Sequence, residues 1–97
     1  MNASDATAIN SKAFTLAQMG KNEEGLSVIE KAVQDNPNNV HLQITMAFIL
    51  ANLGREDEAR TYYEKALQIN PNLTKTLTVQ KEIDAFNKVM GNKTIMQ

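Results

Sequence analysis

No cysteine occurs among the 97 residues. Disulfides, thiolate nucleophiles and cysteine-ligated zinc are therefore excluded, and cysteine usage says nothing about the redox compartment. An excess of positive charge is also missing: ten Lys plus Arg face eleven Asp plus Glu, a formal charge of -1. That balance gives no field for holding a phosphate backbone, so nucleic acid is not an expected partner. No apolar run is long enough to span a bilayer, the longest lying around Met46 to Ala51. The polar opening from Met1 to Thr7 lacks a signal-peptide core. The expectation is a soluble chain without direct membrane insertion, with cytoplasm and periplasm both open.

The residues that chemistry usually needs are equally sparse. His41 is the single histidine, with no Asp or Glu three or four residues away, so the spacing of a helical metal site is lacking. Ser4, Ser11 and Ser27 sit in no nucleophile-elbow pattern, and four glycines make no phosphate-cradling loop. The acidic clusters Glu23-Glu24 and Glu56-Asp57-Glu58 suit helix starts better than acid/base catalysis. No catalytic residue, metal or cofactor is expected.

What the chain does have is a repeat. Displaced by 34 residues, it matches itself at Ala13/Ala47, Phe14/Phe48, Leu16/Leu50, Ala17/Ala51 and Gly20/Gly54. The match continues through Glu24/Glu58, Glu30/Glu64, Lys31/Lys65, Ala32/Ala66 and Gln34/Gln68 to Asn36-Pro37-Asn38 against Asn70-Pro71-Asn72. Glycine and proline falling in register marks an internal structural repeat. At this length, the two copies belong in one compact unit.

Each copy divides into two helices. Gly20 and Gly54 suit a left-handed residue closing a first helix, and Pro37 and Pro71 stop a second. The acidic clusters favour helix starts near residues 22 and 56. Apolar residues recur at three and four: Ile9, Ala13, Leu16; Leu26, Ile29, Val33; Met46, Leu50, Leu53; Ala59, Tyr63, Ala66. From Leu73 the same spacing runs through Leu77, Val79, Ile83, Phe86 and Met90, which predicts a fifth helix ended by Gly91.

Spacing and order together resemble the tetratricopeptide repeat. The second copy carries Met46, Ala47, Leu50, Ala59, Tyr63, Ala66 and Pro71 at the signature positions, and the first carries Ala13, Leu16, Ile29, Ala32 and Pro37. Departures are Lys12 for the usual Leu, Gly25 for the usual Ala, and Ile9 and Gln43 for the usual Trp. The resemblance implies an all-α fold, an α-α superhelix (TPR-like solenoid) of two helix hairpins followed by a fifth capping helix. Its expected boundaries are one domain over 1–97: repeat one about 6–39, repeat two about 40–73, capping helix about 74–90, tail 91–97. Continuing the 34-residue register puts Lys81 at the position of Ala13 and Ala47, a seam too close for a lysine. The array is therefore expected to end at that helix.

The resemblance also implies a function. First helices of such hairpins line a concave groove that receives a peptide or helix, which makes the chain a protein-binding scaffold or adaptor; composition alone suggests a bacterial assembly, secretion or envelope system as the first setting. The expected lining is Asn10, Phe14, Gln18, His41, Ile44, Thr45, Phe48, Asn52, Lys75 and Glu82, with Thr7 and Thr78 beside them. Phe14 and Phe48 are equivalent by the repeat and serve either as groove anchors or as packing between hairpins. The lysines and asparagines of a carboxylate clamp are replaced by Ser11, Phe14, Ile44 and Thr45, so an amphipathic helix or extended apolar segment is the expected ligand. Two alternatives stand beside this one: a homo-oligomer through an uncapped first hairpin exposing Ile9 and Leu16, and a regulatory fragment of a larger protein.

Overall fold

In the computed structural model the described residues are 3–75 and 79–95. They form α1 (Ala3–Gln18), α2 (Asn22–Asp35), α3 (Val40–Asn52), α4 (Glu56–Ile69), a short 3-10 turn (Leu73–Lys75) and α5 (Gln80–Ile95), with no strand among them. Helices α1 and α2 make one hairpin and α3 and α4 the second.

Both hairpins turn by the same device. Gly20 and Gly54 adopt φ of 84° and 82°, the left-handed region where a Cβ is penalised. The following amides fold back, Lys21 N–H to Leu16 O at 2.8 Å and Arg55 N–H to Leu50 O at 2.9 Å. The glycine amides bond to Ala17 O and Ala51 O, completing a Schellman closure that satisfies the last carbonyls of each first helix. Helices α2 and α4 then start with acidic first turns and no side-chain cap. Arg55 donates to both carboxylate oxygens of Glu58 at 2.9 and 2.7 Å, holding that carboxyl below the usual carboxylate range.

Both second helices end at their asparagine. Asn36 N–H and Asn70 N–H bond to Ala32 O and Ala66 O, each at 2.9 Å, just before the proline that forbids another turn. Asn39 caps α3, its Oδ1 accepting from Leu42 N–H at 3.2 Å.

Small residues set the closeness of the hairpins. Ala13, Ala47, Ala59 and Ala66 are wholly buried. At Gly25 a Cβ would meet the carbonyl oxygen of Ala13 at 3.1 Å and Ile49 Cδ1 at 3.2 Å. The glycine that departs from the repeat signature thus stands where α2 presses on the α1 backbone. Helix α3 lies in the centre, with α1, α2, α4 and α5 around it. Every residue from Leu42 to Ala51 is buried, including Gln43 and Thr45.

The fifth helix departs from expectation at both ends. It begins at Gln80 instead of near 74, because Leu73 and Lys75 close a tight turn through Leu73 N–H to Asn70 O and Lys75 N–H to Asn72 O. It also continues through Gly91, which keeps a right-handed backbone, to Ile95. Leu77 and Thr78 lie outside the described residues. The two kinds of glycine make opposite predictions. Gly54→Ala should lower stability by roughly 1–2 kcal/mol, whereas Gly91→Ala, with open space around it, should raise it by up to about 1 kcal/mol. Urea denaturation followed by far-UV circular dichroism checks both signs.

Candidate functional site

The residues expected to line a groove do not stay together. Phe14 and Phe48 pack on each other between the hairpins, ring centroids 5.3 Å apart, and both are 6% exposed. Ile44 and Thr45 are fully buried in α3. Asn52 donates to Asn22 Oδ1 at 2.9 Å, tying α3 to α2, and Lys75 is exposed on the 3-10 turn. Asn10, His41 and Glu82 come together, and Gln18 lies exposed two turns along α1 from Asn10.

The cause is the position of α5. Glu82 Oε2 accepts from His41 Nδ1 at 2.9 Å, so residues 41 apart in sequence stand opposite each other. In the 34-residue register Glu82 would correspond to Phe48 and Lys75 to His41. The helix has slid by seven residues. It lies mainly along α3. Val79 and Ile83 cluster with Ile44 and Leu73, while Phe86 joins the cluster of Phe14 and Phe48. The face of α3 that would have floored an open groove is covered by the chain's own last helix.

What remains open is a polar channel between α1 and α5. Two adjoining cavities of about 260 and 170 Å³ share Asn10, Ser11 and Glu82 as walls. The larger extends to Thr7, Asn39 and His41, the smaller to Thr15, Gln18 and Lys81. Glu82 is 7% exposed and also accepts from Asn10 Nδ2 at 3.4 Å. That leaves Asn10 Oδ1 buried without a partner. A buried acceptor in that condition costs about 1–3 kcal/mol unless something donates to it.

The slide opens a second gap on the other side of α5. Arg60, Tyr63, Glu64 and Leu67 of α4 are the repeat equivalents of Leu26, Ile29, Glu30 and Val33 of α2. Ile29 and Val33 are buried. On α4 the matching strip borders a cleft of about 310 Å³, closed on the far side by Phe86 and Met90. Phe86 stacks on Tyr63 at 4.5 Å and 11°. Sequence reasoning named Asn10, His41 and Glu82 as lining without their mutual contact, and it missed this cleft. The one available signal was Lys81, whose misfit at the seam position already showed that the third register fails.

Among the described residues no helix is long and apolar enough to cross a membrane, and no three His, Asp or Glu group as metal ligands would. Paired helices of 13 to 16 residues, closed by the same turn and stacked through small residues, define an α-helical repeat protein. The family model for the tetratricopeptide repeat matches residues 16–77. The chain belongs to the tetratricopeptide repeat family, a non-catalytic repeat whose members generally mediate protein-protein interaction. Comparison with curated proteins and with solved structures gives no match.

Burial pushes the Tyr63 phenol above its ordinary range. The unfolded chain then ionises first as pH rises through about 10. Stability carried by the neutral phenol is full below that pH and is lost as pH climbs through the folded value. Tyr63→Phe, which keeps the stack on Phe86, should flatten the alkaline fall in melting temperature between about pH 9 and 11, measured beside the wild-type chain.

Proposed function

We propose that the chain is a protein-interaction module, acting as an adaptor, that holds an extended segment of a partner protein in the polar channel between α1 and α5. The observation behind this reading is the channel wall: side-chain amides and hydroxyls of Asn10, Ser11, Thr15 and Gln18, with Asn10 Oδ1 buried and unpartnered. A peptide backbone offers N–H and C=O groups in alternation, and an amide side chain answers both. Cavities of about 260 and 170 Å³ take a single strand and its side chains, not a helix about 10–12 Å across. The apolar face of α3 at Ile44 and Phe48 that an amphipathic helix would need is under α5.

Stacking of copies through the first hairpin has less in its favour. Leu42, Met46, Ile49 and Leu53 follow one stripe of α3, and Ile49 approaches Gly25 of α2. Their equivalents on α1 are Ala8, Lys12, Thr15 and Met19, all exposed, and only Met19 is large and apolar. Ile9 and Leu16 are partly buried, and Ile9 packs against the core.

The test begins with peptides selected by display against the wild-type chain, titrated by fluorescence anisotropy. Ser11→Trp fills the channel from an exposed position and should weaken binding at least tenfold with an unchanged melting temperature. Ser27→Trp, exposed on α2, should leave binding alone. Equal affinity for wild type and Ser11→Trp would remove the channel as the site.

A further inference from the structure

We infer that the cleft between α4 and α5 is a self-association surface, through which two copies of the chain pair about a two-fold axis with their α4 helices antiparallel. The surface lies on the other side of α5 from the polar channel and is independent of it.

Along this strip the second copy of the repeat departs from the first. Leu26, Ile29 and Val33 of α2 are replaced by Arg60, Tyr63 and Leu67 of α4. In the first hairpin Ile29 and Val33 are buried. On α4, Arg60 is exposed, and Tyr63 and Leu67 are only half-buried beside the cleft of about 310 Å³. Phe86, stacked on Tyr63, is buried in its lining, and Met90 is half-buried there. Tyr, Phe, Met and Arg are enriched where protein surfaces meet, and they supply four of the six lining side chains.

Charge selects the occupant. Arg60 turns back along its own helix, to Asp57 at 3.4 Å and Glu56 at 3.9 Å. Glu64, one turn further on at the same cleft, is exposed and has no partner among the described residues. A partner surface of one sign would set either Arg60 or Glu64 against its like. A strip carrying one guanidinium and one unanswered carboxylate four residues apart is instead its own complement. Turned end for end, it brings Arg60 of each copy to Glu64 of the other, so a two-fold contact makes the pair twice. Tyr63 and Leu67 of the two strips then face each other, and the unbranched side chain of Met90 can follow the shape of the joined gap. A formal charge of -1 per chain gives little long-range repulsion between copies. The patch is small, so the dimer should be weak and concentration-dependent.

Sedimentation of the full chain over a rising concentration series tests this. The weight-average mass should climb from 10.8 kDa towards twice that value. Arg60→Glu and Glu64→Arg should each weaken the dimer at least tenfold, because each sets like charges against each other across the axis. An equimolar mixture of the two variants should associate at least as well as wild type, since each supplies the charge the other lacks. Recovery in the mixture also shows that neither variant has failed to fold. A wild-type chain that stays monomeric up to about 1 mM overturns the inference. So does a dimer indifferent to both reversals, or a mixture that stays monomeric. Lys12→Glu, on the exposed stripe of α1, should leave the dimer unchanged. A loss there as large as that of the single reversals would move the contact to the first hairpin and overturn the assignment to α4.

Discussion

Helix α3 has no exposed face over the ten residues from Leu42 to Ala51, and the other four helices are arranged by how they cover it. A helix buried all round needs neighbours on every side. The first hairpin supplies α1 and α2, and the turn at Gly54 brings α4 back along a third side at a distance fixed by Ala47, Ala59 and Ala66. Apolar side chains at Ile44 and Phe48 then leave a fourth side that water would otherwise touch. Leu73 and α5 answer that remaining demand, and α5 settles where Ile44, Phe48 and His41 place it, off the line the repeat would have drawn.

The same constraint explains what could be read from the sequence. Gly20, Gly54, Pro37 and Pro71 each force a local backbone outcome, so the two hairpins and their helix starts at Asn22 and Glu56 were legible from residue type alone. Small residues at Ala13 and Ala47 announced the close seams for the same reason. Gly25 looked like a defect in the repeat, and only the approach of Ala13 O and Ile49 Cδ1 shows why a smaller residue than alanine stands there.

The candidate site was less legible because its lining depends on a register that no local signal sets. Periodicity identifies the apolar stripe of α5 but not which turn of α3 it meets, and a slide of seven residues preserves the stripe's phase almost fully. Extending the 34-residue spacing therefore put Glu82 on the right side of α5 at the wrong height, and put Lys75 on a helix that begins only at Gln80. Phe14 and Phe48 posed the related difficulty that an aromatic on a groove face and one between hairpins have the same sequence spacing. Their ring contact at 5.3 Å decides for packing.

Helix α5 covers the remaining side of α3, and in doing so it takes the surface on which the family's groove would be built. Stability and an open apolar groove are thus in competition within this chain: whatever removes α5 to reach Ile44 and Phe48 must replace the burial that α5 provides. A polar channel along α1 escapes that competition, because Ser11, Thr15 and Gln18 are exposed with α5 in place. An apolar helical partner does not escape it, and its binding energy must first offset the lost contacts of Val79, Ile83 and Phe86. The covering of α3 by α5, more than any single residue, therefore sets which ligands these residues meet without rearrangement.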